Sequence, residues 1–327
     1  MAQTAVWLAL TILSVGACSS GAISPQERAE GTVAMADRCA DRKYSFRTIE
    51  GARLHYRLEG PHSKAVTERP VVVLHGAYAN HCDPAYAFLP QLAESRQVLF
   101  VDRPGLGRSE RPEDGYDPRV QARLVRALAG ELGLERPIVL GHSFGGAVAL
   151  GYGLDTADRP DAPAAASGLL LLAPVSHPWP GGVSWWNSVS ETPGLGFLFR
   201  RAVVPLVGPT MVRGAVSEPF MPDDYVDKTG PDQFLEARIF RNNARDLTKL
   251  KPIIREMAPR YGALDMPIEI RAGSADTTVY TDIHARALAE EAPKANLEVF
   301  EGVGHLIHYE RTDEVFAALA ILDARVK

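Results

Sequence analysis

The chain has 327 residues, of which 46% are hydrophobic, and its formal net charge is −5. This length suits one large α/β domain with an insertion, or two domains, and the apolar content allows a substantial core. The charge is mild and spread along the chain, and no basic cluster indicates a nucleic acid partner.

The first segment, residues 1–17, has the pattern of an export signal. Residues 5–17 are almost wholly apolar, which is short for a membrane span and suits the hydrophobic region of a signal peptide. Small residues precede Cys18, as at a bacterial lipoprotein cleavage site. We therefore expect a lipid anchor on Cys18, holding the protein on a bacterial membrane and facing the periplasm. No Lys or Arg precedes Arg28, so an ordinary signal peptide or an uncleaved anchor, and a secreted or soluble periplasmic protein, stay open.

The next segment, residues 18–43, is polar, rich in small residues and weakly patterned, which predicts a tether between anchor and domain. An exported protein meets an oxidising compartment, where Cys39 and Cys82 could form a disulfide. Two separate thiols are the alternative, because sequence does not show how close the two Cα atoms lie.

From residue 44 onward the hydrophobic pattern predicts an α/β core. Apolar and polar residues alternate on both sides of Glu50-Gly51, which indicates an antiparallel hairpin. Helical patterns, one with Asp117 as N-cap and Pro118 at its first position, then separate short apolar runs. Such runs are typical of parallel strands covered on both faces, and their alternation with helices predicts a mostly parallel, doubly wound sheet. The runs are residues 71–74, 97–101, 137–140, 169–172, 267–271 and 297–300.

The alternation stops between residues 176 and 262. This stretch is rich in Trp, Phe, Pro and helix-forming residues and contains no convincing buried strand. We expect it to be a helical cap inserted between two strands of a core formed by residues 44–175 and 263–327.

Residues 141–145, Gly-His-Ser-Phe-Gly, place a serine at the apex of a sharp turn. They follow the apolar run 137–140 and precede a run of small residues, so the order is strand, turn, helix. A serine hydroxyl is a poor nucleophile at neutral pH, so an enzyme must expose it, set a base beside it and stabilise the oxyanion. A glycine-rich structural turn is the alternative, but this context favours Ser143 as a nucleophile.

Four other motifs accompany this turn in a fixed order: His75-Gly76-Ala77, residues 102–109, Gly273 to Asp276, and Gly304-His305. Together they resemble the α/β-hydrolase fold superfamily, from about residue 44 to the C-terminus. The resemblance implies an α/β-hydrolase fold with a mostly parallel doubly wound sheet and an inserted helical cap. It also implies a serine hydrolase of esterase or lipase type, with the triad in the order Ser, acid, His.

In this resemblance Ser143 attacks a carbonyl, His305 accepts its proton, and Asp276 orients the imidazole. A helix cap is the structural alternative for Asp276, and Asp282 and Asp265 are its nearest rivals. For the base, His308 is the closest competitor, three residues further along the same loop. The other histidines weighed against His305 are His75, His142, His177 and His284.

The resemblance assigns the oxyanion hole to the backbone N–H groups of Phe144 and Ala77. Gly76, Tyr78, His142 and Trp179 are the candidate substrate-binding residues. The cap aromatics would line an apolar acyl pocket, although an aromatic cluster in a helical insert is more often that insert's own core.

The sequence therefore predicts hydrolysis of a carboxylic ester or related acyl compound, on a small and apolar substrate, through an acyl-serine intermediate. A C–C bond hydrolase, a peptidase or a cofactor-free haloperoxidase of the same fold, or a non-catalytic envelope binding protein, are the alternatives. No metal-ligand spacing, phosphate-cradling loop or dinucleotide fingerprint is present, so we expect neither a cofactor nor a metal site. The sequence does not indicate an oligomeric state.

Overall fold

The computed structural model of the protein describes residues 45–61, 68–215 and 218–326. The predicted leader 1–17, the tether 18–43 and the candidate lipidation site Cys18 lie outside these ranges and stay predictions. Within the described ranges, no helix has both the length and the apolar character required to cross a membrane.

A single eight-stranded sheet organises the described part of the chain, in the strand order β1-β2-β4-β3-β5-β6-β7-β8. β1 pairs antiparallel with β2, and β2 pairs antiparallel with β4, whereas the remaining neighbours are parallel. This confirms the predicted hairpin and the mostly parallel sheet. The strands are β1 Ser45–Ile49, β2 Ala52–Glu59, β3 Val71–Leu74, β4 Val98–Val101, β5 Ile138–His142, β6 Gly168–Leu172, β7 Ile268–Gly273 and β8 Ala295–Phe300.

The central strands are apolar throughout because helices cover both faces of the sheet. Every residue of β3, β4, β5 and β6 is buried. Side chains that alternate along these strands enter two separate cores, so that Val72 and Leu74 face one and Val71 and Val73 face the other.

Helices connect the strands and flank the sheet. The predicted start of the second helix is confirmed, because the Asp117 side chain accepts the Arg119 N–H at 2.8 Å, with Pro118 at the first position. The α-helices are α1 Cys82–Ser95, α2 Pro118–Glu131, α3 Phe144–Asp158, α4 Trp185–Glu191, α5 Leu195–Leu198, α6 Val204–Ala215, α7 Tyr225–Thr229, α8 Ala237–Met257, α9 Ala287–Glu291, α10 Ile307–Glu310 and α11 Thr312–Arg325.

Between β6 and β7, every regular element of the described residues is helical. These elements include a π-helical turn at Phe199–Val203 and 3₁₀ turns at Pro231–Leu235 and Ala258–Ala263. This confirms the inserted helical cap. The limits assigned to the cap and the two core segments stay predictions.

Helix α1 lies between β3 and β4, where the alternation of apolar runs with helical patterns predicts a helix without giving its bounds. It begins at Cys82 and carries Pro90 inside it, which weakens the helical pattern. Cys82 is disulfide-bonded, and its partner lies outside the described residues.

Candidate active site

Ser143 occupies a strained position between β5 and α3. Its backbone has φ 55° and ψ −119°, in a region that non-glycine residues rarely adopt. The glycines beside it permit the close approach that the turn requires: a Cβ on Gly145 would lie 2.2 Å from the Leu74 carbonyl oxygen, and one on Gly141 would lie 2.3 Å from that of Gly145. The sequence therefore folds here into a tight turn that projects the serine where strand meets helix.

Asp276 and His305 form a hydrogen-bonded pair at the ends of β7 and β8. The Asp276 Oδ2 atom accepts from the His305 Nδ1 atom at 2.7 Å. The other carboxylate oxygen accepts the backbone N–H groups of Thr278 at 2.8 Å and Val279 at 2.9 Å. The carboxylate is thus held from both sides, and it fixes which nitrogen of His305 carries the proton.

The rival acids and bases face elsewhere. Asp282 is paired with Arg286 and Asp265 with Lys294, and both acids are largely exposed. His308 lies beside Asp83, with its Nε2 atom 3.3 Å from the Asp83 Oδ2 atom.

Two more of the histidines have structural contacts. His177 contacts Ser176 and Glu291. The helical pattern around His284 predicts a partly exposed side chain, but His284 is buried, and its Nδ1 atom accepts the Ser176 and His177 N–H groups. The helical pattern did not reveal that the chain after β6 packs on it.

His142 joins the nucleophile turn to the loop of His305. Its Nε2 atom donates to the His305 carbonyl at 3.0 Å, and its ring lies between those of His305 and His308, at 4.8 Å and 4.5 Å between centroids. Burial, together with His308 and His305, lowers the pKa of His142 well below its ordinary value. The imidazole is neutral at pH 7 and acts here as a hydrogen-bond donor to the loop.

Asp83 is the carboxylate that interacts with His308 and His142. Its Oδ1 atom accepts from the Tyr225 hydroxyl at 2.9 Å and the Tyr309 hydroxyl at 3.1 Å. Burial raises the pKa of Asp83, but the charge of His308 and these hydrogen bonds outweigh it and hold the pKa at about 2. Asp83 is therefore an ionised, buried carboxylate.

The two candidate oxyanion-hole donors lie beside Ser143. Phe144 is the first residue of α3, so its N–H has no acceptor within the helix. Ala77 follows Gly76, and a Cβ added to Gly76 would lie 3.3 Å from the Ser143 Cβ. In the described ranges neither N–H donates to another protein group. By contrast the Tyr78 N–H is occupied, since it donates to the Asn243 Oδ1 atom at 3.0 Å.

The buried side chain of Arg103 holds the loop of His75, Gly76 and Ala77, and the sequence analysis did not predict this role. The Arg103 guanidinium donates to the His75 carbonyl at 2.8 Å and the Gly76 carbonyl at 3.1 Å, and it lies over the Phe144 ring. Its charge is balanced by Asp246 of α8, which also pairs with Arg111. Asp246 lies on the buried face of an amphipathic helix, and an acid in that place was the signal that could have revealed the network.

His75 completes the support of the loop as a neutral ring. Burial and the neighbouring Arg103 charge lower the pKa of His75 to about 3. Its Nε2 atom accepts the Arg103 N–H at 3.0 Å, so its Nδ1 atom donates to the Gly76 carbonyl at 2.9 Å.

Of the candidate substrate-binding residues, Gly76, Tyr78 and His142 lie at or next to the loops just described, and Tyr78 bridges to the helical cap. Its hydroxyl donates to the Asn187 Oδ1 atom at 2.6 Å and accepts from the Trp186 Nε1 atom at 3.3 Å. Trp179 instead packs against His284, and the Lys251 ammonium lies 5.6 Å from its ring centroid.

In the described part of the chain, one group of side chains has the donor types and spacing of a metal site. Metal-binding atoms of His55, His81 and Asp102 lie within 4.8 Å of one another, and all three residues are buried. The Asp102 carboxylate already accepts from the Nδ1 atoms of His55 at 2.7 Å and His81 at 3.0 Å, and from the Arg108 N–H at 2.9 Å. These hydrogen bonds shape the turn after β4, and they leave the carboxylate saturated.

Comparison with known proteins identifies the family. The family model described as "Alpha/beta hydrolase family" matches residues 71–319. A soluble epoxide hydrolase of Corynebacterium sp. (strain C12) is 37% identical over 110 residues, which cover 34% of this chain and 36% of that protein. The match to this relative thus spans about a third of its length.

Two further proteins match over more of the chain. A 2-hydroxy-6-oxo-6-phenylhexa-2,4-dienoate hydrolase of Burkholderia cepacia is 27% identical over 237 residues, covering 68% of this chain and 76% of that protein. The solved structure of an esterase from Exiguobacterium antarcticum superposes with a TM-score of 0.65 at 21% identity, over 86% of this chain and 99% of the esterase. The structural match supports the fold alone.

Proposed function

The chain belongs to the alpha/beta hydrolase family, and we propose that it is a serine hydrolase that cleaves a carboxylic ester or related acyl compound through an acyl-Ser143 intermediate. The observation that carries the proposal is the 2.7 Å contact between Asp276 and His305, in a chain that also holds Ser143 in a strained strand-to-helix turn. These three residues have the chemical types and the chain order of a serine hydrolase triad.

The proposed reaction begins when the His305 Nε2 atom accepts the Ser143 proton and the serine oxygen attacks the substrate carbonyl carbon. Asp276 keeps the proton on Nδ1 of His305 and stabilises the imidazolium that forms. The N–H groups of Phe144 and Ala77 donate to the oxyanion, each worth about 3 kcal/mol of transition-state stabilisation. His305 then protonates the leaving alcohol, and water releases the acid by the same steps in reverse order.

The serine itself argues against epoxide opening, the activity named for one relative. Attack of a serine oxygen on an epoxide carbon would form an ether, which a general base does not help water to cleave. An acyl-serine ester, in contrast, has a carbonyl carbon that water attacks readily. Ser143 therefore favours acyl transfer over epoxide hydrolysis.

The experiment that tests the proposal is covalent labelling with a fluorophosphonate probe, followed by hydrolysis of p-nitrophenyl esters of increasing chain length. We expect the wild-type protein to be labelled and Ser143→Ala to remain unlabelled. The exposed Ser188 offers a matched control, and Ser188→Ala should be labelled like wild type. Equal labelling of wild type and Ser143→Ala would contradict the proposal. Labelling without ester turnover would point to a C–C bond or a peptide bond as the substrate.

We further propose that the protein is exported and anchored through Cys18, on the sequence pattern of residues 1–18 alone. The intact mass of the mature protein from a bacterial membrane fraction should correspond to a diacylglyceryl-modified Cys18. A mass that retains Met1, or an N-terminus elsewhere, would exclude the anchor.

A further inference from the structure

The described part of the chain concentrates its exposed apolar side chains in one place. Ten large hydrophobic residues are exposed, and seven of them lie between residues 185 and 207. Scattered exposed apolar residues are ordinary, whereas a contiguous cluster marks an interaction surface. We call this cluster the apolar patch; it consists of Trp185, Leu195, Phe197, Leu198, Val203, Leu206 and Val207.

Helix α6 carries apolar side chains on two of its faces. Val204 and Val212 of this helix are buried against the protein, yet Leu206 and Val207 point outward, with Leu206 76% exposed. A helix that is apolar on both faces needs apolar surroundings on both sides. The protein supplies only one of them.

The charges around the apolar patch are mainly positive, although Glu191 of α4 lies 4.0 Å from the Arg241 guanidinium. Arg200, Arg201, Arg238 and Arg241 line an open depression of about 240 Å³ together with Phe197, and none of the residues that line it is acidic. The sequence contains no Asp or Glu between Glu191 and Glu218. Apolar side chains beside arginines suit a bilayer surface, where the first enter the acyl region and the second meet anionic headgroups.

The same charges disfavour a second copy of the chain as the occupant. A twofold contact through the apolar patch would bring the same surface of two molecules together. Four arginines at its edge would then face four others, and the contacts of the described residues give only Arg241 an acidic partner there, Glu191.

We propose that the apolar patch docks on the surface of a membrane that contains anionic lipids, with the arginine-lined depression receiving a lipid phosphate. This contact is separate from the anchor proposed at Cys18, and it does not depend on the catalytic proposal. Helix α4 links the two regions, because Trp185 belongs to the apolar patch while the neighbouring Trp186 and Asn187 contact Tyr78. Docking would therefore place α4, whose Trp186 and Asn187 contact Tyr78, next to the lipid surface.

The test is sedimentation of the full chain, carrying Cys18→Ala so that no lipid is attached, with vesicles of phosphatidylcholine or of equimolar phosphatidylcholine and phosphatidylglycerol. Replacing Phe197 and Leu206 together by Asp should weaken binding about ten-fold or more, because two apolar side chains leave the acyl region. Arg201→Gln and Arg241→Gln should each weaken binding about five-fold on the anionic vesicles only. Ile321→Asp, an exposed apolar site outside the apolar patch, should bind like the parent.

A spectroscopic readout reports from within the apolar patch, whatever the N-terminal segment contributes to binding. Trp185 is 65% exposed, so its emission should shift to shorter wavelength with anionic vesicles, and Trp185→Phe should lose that shift. Circular dichroism establishes that each variant is folded. Equal partitioning of the Phe197/Leu206 double variant and the Ile321→Asp control would overturn the proposal. The proposal would also be overturned if the protein did not bind vesicles but formed a dimer, and the Phe197/Leu206 double variant were a monomer.

Discussion

The Asp276 carboxylate accepts three hydrogen bonds, and only one of them belongs to the proposed triad. Two bonds to backbone N–H groups shape the loop after β7, and the third orients His305. Asp276→Asn keeps the size of the side chain and the backbone contacts within reach, but it removes the carboxylate that selects the imidazole tautomer. We expect kcat to fall about 10³- to 10⁴-fold with a normal thermal unfolding midpoint.

Asp282→Asn is the matched control for that measurement, because Asp282 is exposed and pairs only with Arg286 on the same helical turn. Its ester hydrolysis should equal that of wild type. If Asp276→Asn retained wild-type kcat as well, the orienting role of Asp276 would be wrong.

Asp83 should make stability depend on acid pH. Its folded-state pKa is about 2, below the ordinary value of 3.8, so the ionised form is favoured in the folded protein. That stability is present above about pH 4 and is lost as the pH falls toward 2, and its size is about 2 kcal/mol. Urea unfolding from pH 5 to pH 2 should show a steeper loss for wild type than for Asp83→Asn. Parallel slopes would mean that folding does not lower the pKa of Asp83.

Other titratable side chains lie near Asp83, and both proteins in this comparison contain them. They are His308 and His142 on one side and the hydroxyls of Tyr225, Tyr309 and Tyr86 on the other. Burial and the Asp83 charge raise the pKa of Tyr225 and Tyr309, so these phenols stay protonated throughout the acid range. The difference between the two slopes therefore reports mainly on Asp83.

At the scale of elements, helix α3 packs so closely on β3 that no side chain fits between them. The Cβ of Gly145→Ala would lie 2.2 Å from the Leu74 carbonyl and 2.7 Å from the His75 carbonyl, and both are backbone atoms that do not move easily. We expect a loss of about 3 kcal/mol in unfolding free energy, or failure to fold. Gly182→Ala, whose new Cβ meets nothing within 4 Å, should change urea stability by less than about 0.5 kcal/mol. A mild effect at Gly145 would mean that α3 can move away from β3.

Helix α8 is tied to the core by charge as well as by apolar contacts. Asp246→Asn would leave the fully buried Arg103 without its counter-charge, which costs about 3 to 5 kcal/mol when one partner of a buried pair is removed. Glu256→Gln on the same helix breaks only an exposed contact with Arg119, worth about 1 kcal/mol or less. Similar urea midpoints for the two variants would show that Arg103 does not need Asp246.

At the scale of the whole molecule, the sheet could be predicted because its residues repeat a local pattern. The runs 71–74, 137–140 and 169–172 each form a buried strand within one or two residues of the predicted ends. The bounds of helix α1 could not be predicted in the same way, since Pro90 interrupts its pattern. A hydrophobic pattern predicts a strand or a helix only where each residue type reflects the burial of that residue within its own element.

The supporting contacts of the site are harder to predict because they join distant residues. Asp246 and Arg103 are separated by 143 positions, and Asp83 and His308 lie on α1 and α10, which are far apart in the chain. The sequence motifs proposed Asp276 and His305 as partners, and these residues are in contact, but no motif marked Arg103, which binds the carbonyls of His75 and Gly76. Such pairs follow from the packing of α1 and α8 on the sheet.

The helical cap leaves the sheet from β6 and returns on β7, which are direct neighbours, with Leu169 beside Ile268. Because the two strands are parallel, the insert leaves after Leu172 and returns three register positions back at Ile268, so its two ends lie roughly 11 Å apart. Recombination could exchange this whole insert for an unrelated one and leave the strand order untouched. Such an exchange has one condition. The new insert must place a carboxylate beside Arg103, or Arg103 must be replaced by a neutral residue at the same time.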